Sequence, residues 1–177
     1  MKNVIFVFLA TALTLSMAAC DVETDPEMQV EDETTPTIVD EGPDHHLTYH
    51  ANEIDWQSGP ASVEEGIEVA VLEGDPSEEG VFTLRLKIPD EGFIAPHWHP
   101  NVERVTVISG TFLLGSGEEM DREDITRLEP GSYTSMPPEM VHYAIAEGET
   151  VIQLTSVGPW IINYVNPEDD DPRERNR

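Results

Sequence analysis

Cysteine is almost missing from this chain. Among 177 residues only Cys20 occurs, so no disulfide framework within the chain can hold its fold together. Basic residues are nearly as scarce: nine Lys and Arg stand against 36 Asp and Glu, a formal charge of −27. Such a surface repels nucleic acid and anionic lipid alike, which removes both from the expected partners. Beyond the first twenty residues no apolar run is long enough to cross a bilayer. A sustained 3.6-residue apolar period is lacking too, and the one helix expected is short, in "EEMDREDI" (118–125). What remains is one domain of sizeable core with polar tails.

The two ends differ from the middle. Residues 1–19 combine a basic start at Lys2, an apolar run from Val4 to Leu15 and small residues at Ala18 and Ala19, the pattern of an export signal. "LSMAAC" resembles the bacterial lipobox, with Met17 where leucine is commonest, which implies lipid modification of Cys20. Exported, membrane-anchored placement in the periplasm or at the cell surface is therefore expected, with the membrane touched only through the lipid. Residues 21–44 carry ten carboxylates, three prolines and no basic residue. A segment of that composition buries too little to offset its ordering entropy, so 20–50 is expected to be an acidic disordered tether. The folded domain is expected over 51–166 and a charged tail over 167–177.

Between these ends the apolar residues alternate. In "VFTLRLKIP" Phe82, Leu84, Leu86 and Ile88 face one way and Thr83, Arg85 and Lys87 the other, a half-buried strand. Further strands are expected at 66–74, 102–109, 111–115, 132–136, 141–146 and 150–157. Turn signals such as "EGDPSEEG", "SG", "EPGS" and "EGE" separate them. Many short strands with tight connections give an all-β sandwich or barrel.

One stretch, "PHWHPNVERVTVISG" (96–110), carries chemistry. Residues i and i+2 of a strand share a face, so His97 and His99 point together and Trp98 points away. Glu103 keeps their parity if the strand continues, or resumes its phase after a turn at Pro100-Asn101. Two imidazoles and a carboxylate on one face are suitable ligands for a divalent first-row metal, and strand packing alone gives no reason to gather them. Downstream, a glycine turn, a strand and the Pro137-Pro138 corner lead to His142, a fourth candidate.

These residues resemble the cupin superfamily, whose motifs are G-x5-HxH-x3,4-E-x6-G and G-x5-P-x-G-x2-H-x3-N. The first is read in Gly92, His97, His99, Glu103 and Gly110, with four residues rather than five after Gly92; the second in Gly131, Pro137 and His142. Glu139 replaces the second motif's inner glycine and Ala146 its asparagine. The match spans about residues 66–157, and "GPWIINYVNPEDDDP" adds a likeness to small single-domain bacterial cupins of the conserved-barrel (cupin 2) type. The resemblance implies a small β-barrel, the double-stranded β-helix of jelly-roll type. It also implies that His97, His99, Glu103 and His142 hold one divalent transition metal (Fe, Mn, Zn, Cu or Ni), with open positions left on the ion.

Three functions fit that implication. The chain is a metal-dependent enzyme acting on a small organic molecule outside the cytoplasm, dioxygenase-like or else an isomerase or lyase; a non-catalytic small-ligand-binding module; or a sensory module whose metal is structural. The expected partner is a small-molecule ligand or substrate, and a homodimer is the assembly considered. No catalytic acid or base is nominated: Tyr133, Tyr143, Glu139 and Arg85 are candidates, with Gln153 beside Arg85 as a substrate-orienting group or an outward residue. Trp56, Trp160 and Tyr164 line the barrel mouth or cover core edges. His45, His46 and His50 are expected to be surface histidines.

Overall fold

The computed structural model describes residues 42, 43 and 46–169. Cys20, the export-type segment, nearly all of the acidic tether, His45 and the tail from residue 170 lie outside the described residues.

The described residues form nine strands: β1 Gln57–Ser58, β2 Glu68–Glu73, β3 Gly80–Ile88, β4 Phe93–Trp98, β5 Glu103–Ser116, β6 Ile125–Leu128, β7 Tyr133–Met136, β8 His142–Gly158 and β9 Asn163–Tyr164. All pairings are antiparallel. The last half of β8 pairs with β3 and with the first half of β5, which also takes β7; the first half of β8 pairs with β4 and with the last half of β5, which also takes β6. The sheet thus bends into two halves that share β5 and β8.

The bend explains why two expected turns are not turns. "SG" and "EGE" lie inside continuous strands, at Gly110 of β5 and Gly148 of β8, with φ of 73° and 72°. Around Gly110 the register slips, and the buried positions of β5 change from Glu103, Val105 and Val107 to Phe112 and Leu114. A bulge switches the phase, so one strand reads as two in the sequence. A Cβ at Gly110 would overlap the Glu149 carbonyl and the Thr150 hydroxyl. Thr150 closes the corner, its one hydroxyl hydrogen shared between the Thr111 and Gly148 carbonyls while its oxygen accepts from the Thr111 amide. Both halves feed one core, including Phe82, Leu84, Ile94, Phe112, Ile152 and Leu154.

The helix expected at 118–125 does not form. Asp121 Oδ1 accepts from the Glu123 amide at 2.8 Å, a local bond that competes with helical pairing, and the Asp121 amide and carbonyl are both taken by the Tyr143 hydroxyl. Five carboxylates within 118–124 also repel one another in any helical turn. The chain instead runs directly into β6. The only helical turn among the described residues is the 3-10 segment Pro167–Asp169.

Candidate metal centre

Two irregularities aim the histidines inward. On β4, Ile94 pairs with Ala144 and His97 with His142, so three steps on β4 meet two on β8. The extra residue falls at Ala95-Pro96, where proline has no amide for the ladder. The resulting bulge turns both Ile94 and His97 to the interior, and His99 follows at i+2; all three are buried while Trp98 is not. β4 ends at Trp98, the chain turns through Pro100-Asn101, and Glu103 opens β5 with its side chain facing the same point. The turn is tied down by Asn101 Nδ2, which donates to the Val157 carbonyl. His142 arrives after the Pro137-Pro138 corner, whose next residue, Glu139, has φ of 63° and donates its amide to the His99 carbonyl at 2.8 Å. Glutamate therefore takes a left-handed conformation that suits glycine better, a mild strain at a departure from the cupin motif.

His97, His99, Glu103 and His142 thus meet at one place, each no more than 6 % exposed. One ring nitrogen from each histidine lies within 4.8 Å of the others, a group that could hold a metal ion. Glu103 Oε2 is 3.1 Å from His142 Nε2 and 3.5 Å from His99 Nε2. Each Nδ1 is already committed to a backbone carbonyl: His97 to Ala95 at 2.6 Å, His99 to Ile161 at 2.8 Å and His142 to Met140 at 2.9 Å. A carbonyl only accepts, so each Nδ1 carries the proton and each Nε2 of a neutral ring presents a bare lone pair.

Four lone pairs therefore converge with no donor among them, and His99 Nε2 and Glu103 Oε2 are buried without a hydrogen-bond partner. Orphaned acceptors are costly in a protein interior. The donor set, imidazole nitrogen and carboxylate oxygen with carbonyls fixing the tautomers from behind, fits a divalent transition ion. Electrostatics point the same way at two of the three histidines. Burial, reinforced by the neighbouring His142 and His99, holds His97 well below the ordinary 6.5 despite the Ala95 carbonyl. Burial also lowers His99, against the Glu103 carboxylate and the Ile161 carbonyl. At His142 burial is outweighed by Glu103 and the Met140 carbonyl, and the net shift is upward.

A cavity of about 390 Å³, open solvent at its mouth included, lies against the cluster. Leu86, Ile94, Phe112, Met136, Ile152 and Trp160 are among its walls, with His97, Glu103 and His142 as its polar groups. Trp160 stacks on His99 with ring centres 5.3 Å apart and planes 19° apart. It belongs to a strap, residues 159–165, whose Ile161 holds His99 and whose Asn163 and Tyr164 pair with Trp98 and His97. The strap's part in the site has only a faint sequence signal, the apolar "WII" after a Gly-Pro.

The acid-base candidates are elsewhere. Tyr133 is 60 % exposed and Glu139 is exposed. Tyr143 is buried, but its hydroxyl is locked to Asp121 and its ring fills the space beside Gly115. Arg85 is paired across the strands with Gln153, its Nε donating to Gln153 Oε1 at 3.2 Å, on the face opposite Leu84 and Leu86. Trp56 carries Lys87 Nζ 4.4 Å above its ring, and Tyr164 donates to the Ser62 carbonyl. His46 and His50 are exposed, the former bonded to Thr48.

Solved structures share this architecture. The polyketide cyclase RemF from Streptomyces resistomycificus matches with a TM-score of 0.61 at 14 % identity, over 75 % of this chain and 93 % of that one. An acetylacetone dioxygenase from Acinetobacter johnsonii matches at 0.56 and 17 %, over 88 % and 89 %. An RmlC-like cupin from Shewanella frigidimarina NCIMB 400 matches at 0.50 and 14 %, over 64 % and 90 %. At such identities the likeness establishes the fold, that of the cupin barrels. No curated protein matches the chain. The family model described as "Domain of unknown function (DUF4437)" matches residues 23–162, and the chain belongs to that family, with a cupin fold.

Proposed function

We propose that the chain is a metal-dependent enzyme of oxygenase type acting on a small organic molecule, with His97, His99, Glu103 and His142 holding one divalent transition metal. The observation that carries this reading is the convergence of three bare Nε2 lone pairs and Glu103 Oε2, with every Nδ1 bonded behind them. A redox-active ion bound there supplies Lewis-acid polarisation and the electron exchange with dioxygen that side chains lack. His97, His99 and His142 orient nitrogen donors, and the carbonyls of Ala95, Ile161 and Met140 keep them turned. The Glu103 carboxylate, 3.1 Å from His142 Nε2, would offset cationic charge. The apolar walls exclude water and accept a hydrocarbon body.

Oxygenase chemistry is preferred over isomerase or lyase chemistry because, among the described residues, no acid or base beyond the four donors lines the cavity. The same observation favours a second reading, a small-ligand-binding module without turnover. The fold accommodates varied chemistry, as the cyclase and dioxygenase above illustrate, and does not choose between them. Oxygen uptake by the iron-, manganese- or copper-loaded protein, over a panel of small ketones and phenols, separates the two. Uptake abolished in His142→Ala supports the enzyme; ligand-induced stabilisation with no uptake for any member supports the module.

We further propose export and lipid anchoring at Cys20, on the strength of Lys2, the apolar run to Leu15 and the Ala18-Ala19-Cys20 sequence. Radiolabelled palmitate incorporated into the full chain but not into Cys20→Ser is the expected result, and no label in either rejects it.

A further inference from the structure

Apart from an ion held by the cluster, the cavity takes no positive charge from any described lysine or arginine. The described residues include five basic side chains, Arg85, Lys87, Arg104, Arg122 and Arg127, and none lines it. Lys87 is paired with Glu68, Arg127 with Glu147, and Arg85 with Gln153. A strongly hydrated anion entering this cavity exchanges its hydration for carbon walls beside a carboxylate, within a chain of net charge −27.

One donor remains. Trp160 lines the cavity, and its Nε1 is buried without a hydrogen-bond partner. Indole nitrogen only donates, so an acceptor is what it lacks. Stacking on His99 fixes the ring next to the cluster, and contact with Phe82 at 5.9 Å supports it from the core. Pockets of this kind take specificity from a few polar groups set in apolar walls.

We infer that the cavity takes a small, largely hydrocarbon molecule without net charge in solution, whose acceptor oxygen receives a hydrogen bond from Trp160 Nε1, and that it turns away hydrophilic anions such as sugar acids and phosphate esters. The inference rests on the metal reading only in setting that oxygen beside the ion. Trp160 is in this account a specificity-determining residue.

Three probes of stated chemistry test it on zinc-loaded and metal-free protein, where no redox turnover intervenes: acetophenone (neutral acceptor), ethylbenzene (no acceptor) and galacturonate (anion). Binding is read by calorimetry or ligand-observed NMR. Acetophenone should bind about tenfold tighter than ethylbenzene. Trp160→Phe should remove that advantage while leaving ethylbenzene within about twofold. Galacturonate should fail to displace acetophenone. Equal weakening of both aromatic probes by the variant, no weakening of either, or displacement by galacturonate overturns the inference.

Should Trp160→Phe not fold, the indole N–H signals of the wild type serve instead. The chain has three tryptophans, so Trp56→Phe and Trp98→Phe identify the third signal. That signal should move with acetophenone and stay with ethylbenzene; equal movement with both rejects the hydrogen bond. Failure of the metal reading is read separately, because zinc stoichiometry does not depend on the probes. One zinc per chain with galacturonate preferred sinks this inference alone. No zinc bound, with the acetophenone preference intact in metal-free protein, sinks the metal reading alone.

Discussion

Replacing Glu103 by glutamine separates the demands of folding from those of metal binding. Glu103 is 6 % exposed, its Oε2 lacks a hydrogen-bond partner, and the nearest ring nitrogens, at 3.1 and 3.5 Å, are acceptors in their neutral form. Such a buried, unpaired acceptor costs about 1–3 kcal/mol, part of which attraction to a protonated His142 returns. The glutamine amide is isosteric, carries no charge and can donate N–H to the His142 and His99 nitrogens. Metal-free Glu103→Gln should therefore be more stable than the wild type by about 1–2 kcal/mol, or about 3–6 °C in Tm for a domain of this size. With metal the order reverses. Loss of a group behind a ligand typically weakens metal binding about 10–100-fold, and loss of the ligand itself should exceed that range. Thermal scans in chelator and in excess manganese or zinc give both numbers. A variant that melts lower in chelator yet gains as much from metal as the wild type would refute the reasoning, because Glu103 would then be a structural anchor.

Stability of the metal-free protein should fall as pH drops below 6.5. There His97 and His99, both lowered by burial, take up protons less readily than their unfolded counterparts. His142, raised, opposes this with stability that is present below 6.5 and lost as pH climbs through its folded value, so the two depressed groups set the net acid-side slope. A urea midpoint unchanged or rising from pH 6.5 to about 5 would contradict the sign. Tyr143→Phe removes a hydroxyl bonded to both the amide and carbonyl of Asp121, at 2.8 and 2.9 Å. It should cost about 1–2 kcal/mol in denaturant titration and leave metal affinity unchanged; lost affinity would give Tyr143 a role in the site. Deleting residues 21–44 should leave Tm nearly unchanged, and a fall of many degrees would make the acidic segment part of the fold.

Much of the site was legible because its signals are local. Strand parity foretells that His97 and His99 share a side, and the turn at Pro100-Asn101 returns Glu103 to their phase. The Pro137-Pro138 corner marks where the strand bearing His142 begins. Strands were legible from alternation, but their joining was not: Gly110 and Gly148 are turn residues in sequence, and only their opposition across β5 and β8 makes them bends. The segment 118–125 reads as a helix in sequence because propensity ignores Asp121 bonding the Glu123 amide and Tyr143 arriving from twenty-two residues away. The Ile161 carbonyl that orients His99 lies sixty-two residues off, in a strap outside both cupin motifs. Arg85 and Gln153 had undecided parity, and their pairing on the outer face removes both from the cavity.

The most direct measurement is the metal content of purified wild type and His97→Ala after saturation and desalting, with circular dichroism to verify that the variant remains folded. The account predicts one divalent transition ion per wild-type chain and essentially none in the variant. An equal load in both, or a folded wild type that retains no ion from iron, manganese, zinc, copper or nickel, would contradict it.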